Sequence, residues 1–214
     1  MDLSKVKQKF SYKVFGIGGE TELEIERSAR SELKRGTTGV DYSRLRKFLE
    51  KGDWQAADKE TWEVMCRVAA RENEGWLDEA SILNFPCEDL QQINQLWEHY
   101  SKGKFGFRVQ KKIYENRGGG KTSRSESAVW KAFCEYVGWQ KEGSSSWVWY
   151  SDLTFNLKNA PQGHLPRECF GHLPKEIMWM GQIWGVGCGK NNGGEYMMEL
   201  VGVGLFSRVK TCNL

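Results

Sequence analysis

Pro86–Tyr114 reads PCEDLQQINQLWEHYSKGKFGFRVQKKIY, and the fold class turns on this stretch. Pro86 stands where a first helical residue belongs, and Glu88 and Asp89 complement the positive end of a helix. Leu90, Ile93, Trp97 and Tyr100 recur at helical spacing and predict a buried stripe, which Gly103 ends. Phe105, Val109 and Ile113 then repeat at i, i+4 and i+8, predicting a second helix whose other faces carry Arg108, Lys111 and Lys112. Gly118–Gly120 terminate it.

The same grammar extends on both sides. Upstream, Asp41 is an expected N-cap before Leu45, Phe48 and Leu49, Gly52 is a stop, and Asp53 caps a following helix. That helix places Trp54, Ala57, Thr61, Met65, Val68 and Ala69 on one side and is followed by a loop, RENEGWLDEA, carrying Trp76. Downstream, Ser125–Val137 reads as a helix with Trp130, Phe133 and Val137 together, broken by Gly138. Leu153–Leu157 alternates apolar and polar residues, the signature of a short strand or extended strip.

The two ends differ in character. Residues 1–40 carry glycine turn signals and one candidate helix, Thr21–Lys34, and read as a tether or short cap. GHLP occurs at Gly163–Pro166 and again at Gly171–Pro174. Beyond it, Gly181–Gly204 holds eight of the 24 glycines, so low helix propensity predicts an irregular or hairpin-like tail packing on the core. The expected architecture is all-α: a helical domain over 41–166, preceded by the tether and followed by a Gly-rich extension over 167–214.

A chain of 214 residues, 39% hydrophobic, can bury one sizeable core. No apolar run is long enough to span a bilayer, and the N-terminus lacks the apolar stretch of a secretory signal. Glu20, Glu22, Glu24, Glu26 and Glu32 are unlike the acid-poor composition of a chloroplast transit peptide. The expectation is therefore a soluble intracellular protein, either of bacterial origin or trimmed at its N-terminus. Six scattered cysteines, with no CxxC pair, are expected to be free buried thiols rather than a disulfide framework. Between Lys102 and Lys131 nine lysines and arginines face two glutamates, a local balance of +7 in a chain of net charge +3. Such a field steers anions or is merely a solvated helix face.

Catalytic motifs are missing. GGGKTS at Gly118–Ser123 has Glu115 where a phosphate-binding loop needs glycine, and it follows a helix rather than a strand. GVGCGK at Gly185–Lys190 is glycine enrichment. His99 falls at a helix C-terminus, and His164 and His172 lie in GHLP turns, where a histidine more often bonds the chain than a metal; an axial-ligand role for His164 is the lesser reading. No HExxH, paired-carboxylate or nucleophile-elbow pattern supports an enzyme, and no metal site is expected. The aromatic strip Trp139, Trp147, Trp149, Tyr150 and Phe155 is more telling. Any single one of these rings suits a helical core, yet the serine-rich spacer Gly143–Ser146 is loop-like and places Trp147 and Trp149 on or beside a loop.

Four motifs, FPCEDL, LWEHYSKGKFGFRVQKKIY, VGW at Val137–Trp139 and LTFNLKNAPQGHLP at Leu153–Pro166, occur in the order and approximate spacing of the Genomes Uncoupled Four family, which this chain resembles from Asp41 to Pro166. The resemblance implies an all-helical cup that binds protoporphyrin IX or Mg-protoporphyrin IX and acts on magnesium chelatase through its large subunit in chlorophyll biosynthesis. It implies a carrier and regulator, not an enzyme, in the cyanobacterial cytoplasm, with peripheral association at the thylakoid and the chloroplast stroma as further settings. Compatible parts are apolar faces from Phe105, Phe107, Val109 and Ile113, and aromatic lids from Trp147, Trp149 and Tyr150, with Trp139 and Phe155 completing the strip. Arg108, Lys112, Arg117 and Lys121 are the candidate partners for the propionates. The alternatives are a signalling module that senses a porphyrin or bilin without the chelatase, and single-stranded nucleic-acid binding by basic residues and exposed rings.

Overall fold

The computed structural model describes residues 38–120, 126–144, 146–170 and 193–214, and Arg35–Leu214 cluster as one compact unit. The candidate helix Thr21–Lys34, Lys121, His172, the second GHLP and GVGCGK lie outside the described residues.

Helix α1 (Ser43–Lys51) stops at Gly52, whose φ of +70° is the left-handed turn glycine permits. Asp53 then caps α2 (Trp54–Val68), its carboxylate accepting the Ala56 N–H at 3.1 Å. Asp41 does not cap α1 as expected. Its carboxylate accepts the Ser43 N–H at 2.8 Å and Tyr42 takes the N-cap position, so the helix starts later than the pattern implies. The loop after α2 contributes Trp76, packed under the Arg71 guanidinium at 4.9 Å, and leads to a short helix, α3 (Glu79–Leu83), which the periodicity did not predict.

Helix α4 (Cys87–Ser101) has Pro86 as its N-cap, one position before the expected one, and buries Leu90, Ile93, Leu96 and Trp97. Trp97 is the centre of one aromatic group, with Trp54 at 6.1 Å and Phe105 at 6.2 Å. Its indole N–H donates to Thr61 Oγ1 at 2.9 Å, so no polar atom is stranded there. Asp89, fully buried on α4, accepts from the Tyr42 phenol and from Thr38 Oγ1, tying α4 to the start of α1.

Helices α5 (Phe107–Asn116) and α6 (Glu126–Tyr136) supply the second aromatic group, in which Trp130 meets Phe133 at 5.1 Å. Two 3-10 turns follow, Tyr150–Asp152 and Glu168–Phe170. Leu153–Leu157 joins no strand, and no β-strand is present among the described residues.

The C-terminal region overturns the expected irregular tail where it is described: Gly193–Thr211 is a 19-residue helix, α7, packed on α3, α5 and α4. Phe206 enters the second aromatic group 5.3 Å from both Tyr114 and Phe133. Glycine is needed there for contact. A Cβ at Gly202 would lie 2.1 Å from Trp130 Cη2, so its absence lets the helix seat on the indole. Propensity costs about 1 kcal/mol per helical glycine, and the packing outweighs it.

The cysteine expectation is corrected in part. Cys87, at the start of α4, and Cys212, just past α7, form a disulfide, whereas Cys66, Cys134 and Cys169 are free and buried. The paired residues are 125 positions apart and meet only because α7 returns to α4, which spacing alone does not reveal.

Candidate functional site

The site is built where two motif-bearing segments interlock. Gln110, buried on α5, donates from Nε2 to Gly163 O at 3.0 Å and Pro166 O at 2.7 Å. The Gly106 N–H donates to Leu165 O at 3.0 Å, and the Gly163 N–H donates to Lys104 O at 2.9 Å. KGKFGFRVQ and GHLP are thus two halves of one clamp. Gly163 is required twice over, by a φ of +74° and because a Cβ would lie 2.6 Å from Ile113 Cδ1.

His164 belongs to this clamp. Its Nδ1 lies 2.6 Å from Val137 O and therefore donates, and its Nε2 accepts the Thr154 N–H at 3.2 Å. Both ring nitrogens are committed to the backbone, and burial holds the imidazole pKa below its usual value. That is the chain-bonding role expected of a GHLP histidine, and it leaves no lone pair for an axial metal. The Trp139 indole N–H donates to His164 O at 2.7 Å, adding VGW to the same framework.

The framework presents an aromatic lip. Val148 N–H donates to Trp139 O at 2.9 Å and Lys141 N–H to Ser146 O at 3.0 Å, which brings Lys141 and Ser146 together beside an antiparallel bridge between Gln140 and Trp147. Trp149 follows it and is 75% exposed, a large ring held in water next to the Tyr150–Asp152 turn. Tyr150 and Phe155, both half-buried, meet at 5.3 Å, and Lys59 on α2 places its ammonium 5.8 Å from the Tyr150 ring centre.

Beneath the lip is a carboxylate that the sequence pattern did not single out. Asp58 on α2 is 0% exposed. Its Oδ1 accepts the Arg167 N–H at 2.6 Å and the Glu168 N–H at 3.2 Å, and its Oδ2 lies 3.1 Å from the Tyr150 hydroxyl. Burial pushes its pKa up to about 6 against the lowering effect of those hydrogen bonds. Arg167 beside it is shifted down by burial, and the Cys169 thiol is pushed well up for the same reason. An acid interrupting the Trp54, Ala57, Thr61 face of α2 was the available signal.

The expected site residues fall into separate groups. Phe105, Phe107 and Trp139 are fully buried and Ile113 nearly so, which makes them supports rather than walls in this structure. Val109, Trp147, Tyr150 and Phe155 are half-buried against the core, and Trp149 alone of the strip projects. Arg108 pairs with Glu98, Nε to Oε1 at 2.7 Å, so a ligand carboxylate there competes with an existing one. Arg117 lies over the Tyr136 ring at 4.4 Å, and Lys112 is exposed on α5. The basic stretch is further engaged through Lys104, which donates to Leu157 O at 2.6 Å, and Lys111, which donates to Leu214 O at 2.9 Å.

The described residues thus form a helical domain whose backbone clamp carries an aromatic lip and engages both ring nitrogens of His164. The family model described as GUN4-like matches residues 35–180, and the chain belongs to that family. It is 34% identical over 150 residues to the Ycf53-like protein of a Synechocystis strain, covering 68% of this chain and 60% of that protein. The chain thus spans about three fifths of that relative's length. Over 79 residues it is 30% identical to an Arabidopsis thaliana protein named as a chloroplastic tetrapyrrole-binding protein, covering 36% of this chain and 30% of that one. Its fold matches the structure of GUN4 from Chlamydomonas reinhardtii with a TM-score of 0.52 at 26% identity, covering 63% of this chain and 85% of the other. No enzymatic family is indicated by these matches, and no helix among the described residues is long and apolar enough to cross a membrane.

Proposed function

We propose that the protein binds a dicarboxylate tetrapyrrole, protoporphyrin IX or its magnesium form, at the aromatic lip and serves magnesium chelatase, through its large subunit, as a carrier and regulator in chlorophyll biosynthesis. The observation that carries this reading is Trp149, a large ring left 75% exposed beside Tyr150, Phe155 and the Lys59 ammonium, in a chain of the GUN4-like family. A planar macrocycle covering ~100 Å² of such rings gains about 2.5 kcal/mol before ordering costs. Lys59, Lys112 and Arg117 are the described cations that suit its propionates, with Arg108 available at the expense of Glu98. The protein acts in the cytoplasm of a cyanobacterium-like cell, at or near the thylakoid surface.

A fluorescence titration tests the reading. A soluble dicarboxylate porphyrin should quench tryptophan emission saturably, and its uncharged dimethyl ester should bind more weakly at low salt, with the difference shrinking as salt rises. Folded protein that shows no quenching up to high micromolar porphyrin overturns the proposal. Saturable binding of a bilin in place of the porphyrin transfers it to the signalling alternative.

A further inference from the structure

One peptide unit just after the clamp is held on both sides by buried side chains. The Pro166 carbonyl receives the Gln110 amide from α5 at 2.7 Å, and the N–H of the next residue, Arg167, donates to Asp58 Oδ1 on α2 at 2.6 Å. Gln110 and Asp58 are both fully buried, so neither bond is readily exchanged for one to water. Asp58 also accepts from the Glu168 N–H at 3.2 Å and from the Tyr150 hydroxyl at 3.1 Å. All of its partners are donors, as suits a carboxylate, and they bring the root of the Arg167 side chain and the Tyr150 segment of the lip to the same acid.

This fixed root carries a guanidinium with no carboxylate bonded to it. Arg44, Arg67, Arg71 and Arg108 each close a salt bridge. Among the described residues Arg167 closes none, and its Nε is shut from solvent without a hydrogen-bond partner. Burial lowers its pKa, yet an arginine keeps its charge across the physiological range. Asp58 and Glu168 favour that charge through space, and the Tyr150 hydroxyl feels it in turn, so the guanidinium stands near the lip. A half-buried cation without a bonded counter-charge is costly in the free protein and gains most from acquiring one. Its planar fork offers two parallel N–H donors to a single carboxylate, a geometry that a lysine ammonium does not supply.

We propose that Arg167 is the carboxylate anchor of the ligand site, pairing with one propionate while the macrocycle lies on Trp149 and Tyr150. The identity of the ligand rests on the tetrapyrrole reading; the anchor itself rests on the pinned peptide and the unpaired guanidinium. Lys112, exposed on α5, is a solvated charge, whereas Arg167 is held in place from two helices. Asp58 and Glu168 repel a second anion at longer range, so a carboxylate alone gains little at this position. A ring that also covers Tyr150, beside the Lys59 ammonium, supplies the rest. The anchor therefore selects planar aromatic molecules that carry a carboxylate.

The test compares charged and esterified forms of two ligands on the whole chain, by fluorescence titration of the wild type, Arg167→Gln and Arg167→Lys. The ligands are a dicarboxylate porphyrin with its dimethyl ester, and pyrenebutyrate with its methyl ester. Arg167→Gln leaves the main-chain bonds of the clamp intact and should weaken the dicarboxylate porphyrin about tenfold, with the ester unchanged. Arg167→Lys should recover part of that loss. The melting temperature of Arg167→Gln should stay level or rise, because a buried charge is removed. Whatever preference for the charged porphyrin survives at high salt in the wild type should vanish in Arg167→Gln, since surface charges are screened and a half-buried one less so. An Arg167→Gln protein that keeps the wild-type preference for the charged porphyrin, or that loses acid and ester equally, overturns the anchor. If the wild type binds neither porphyrin, the tetrapyrrole reading fails, and pyrenebutyrate decides the anchor alone: a preference over its methyl ester that Arg167→Gln abolishes upholds it, and no preference overturns it.

Discussion

The Cα of Gly202 lies against the indole of Trp130, so close that a Cβ would sit 2.1 Å from Cη2. This contact seats α7 on the second aromatic group. Gly202→Ala should force the helix off the ring and cost about 1–3 kcal/mol, the usual range for overpacking, although alanine is the better helix former. Urea unfolding with unchanged m-value is the measurement, and a gain in stability would show that helix propensity governs α7.

The Cys87–Cys212 bond should be worth ~2–4 kcal/mol by restricting the unfolded chain. Cys87→Ser should lower the melting temperature under oxidising conditions, and adding reductant should bring the wild type down to the variant. Thiol titration of the unfolded oxidised protein provides the count that must accompany the shift.

Trp149 and Trp139 make a matched pair, ten residues apart, one exposed and one fully buried. Trp149→Ala should weaken porphyrin binding with little change in melting temperature. Trp139→Ala should cost roughly 3–5 kcal/mol of stability and strand the His164 carbonyl that its N–H now serves. Equal melting shifts in the two variants would place Trp149 in the core.

The buried acid gives a signed pH dependence. Asp58 has a pKa of about 6 in the folded protein against the ordinary aspartate value of 3.8, so the folded state binds this proton more tightly than the unfolded state does. Its contribution to stability is full below about pH 4 and is lost as pH rises through about 6, a change on the order of 2–3 kcal/mol. The stability difference between Asp58→Asn and the wild type should therefore grow from pH 4.5 to 6.5 and then level off. Denaturant midpoints across that range check it, and a pH-independent difference would mean that the acid is already hydrated.

Much of the fold was legible because helices announce themselves locally. Gly52, Asp53 and Gly138 act where they stand in sequence, and Leu90, Ile93 and Trp97 face inward because their spacing matches the helical turn. The tail was not legible, because eight glycines signal weak propensity, whereas Gly202 serves a partner 72 residues away whose size only the packed structure makes relevant. The disulfide was hidden for the same reason. In the candidate site, the aromatic strip was identifiable as a group, but which ring would face water was not: Trp139 and Trp147 share composition and neighbourhood with Trp149, and a backbone bridge decides among them. Asp58 stayed inconspicuous because a single acid in an apolar stripe resembles ordinary helix solvation until Tyr150, Arg167 and Glu168 converge on it.

The clamp around Gln110 also sets an order for the chain during its own synthesis. The carbonyls of Gly163 and Pro166 that receive its amide are made 53 and 56 residues after it. Helix α5 therefore leaves the ribosome with an unmatched amide on the side destined for the interior, and the Gly106 N–H waits slightly longer still for Leu165. A nascent chain halted before residue 163 can form its early helices but cannot close this part of the core, so the chain must be translated past GHLP before the clamp can form, and further still before α7 can seat.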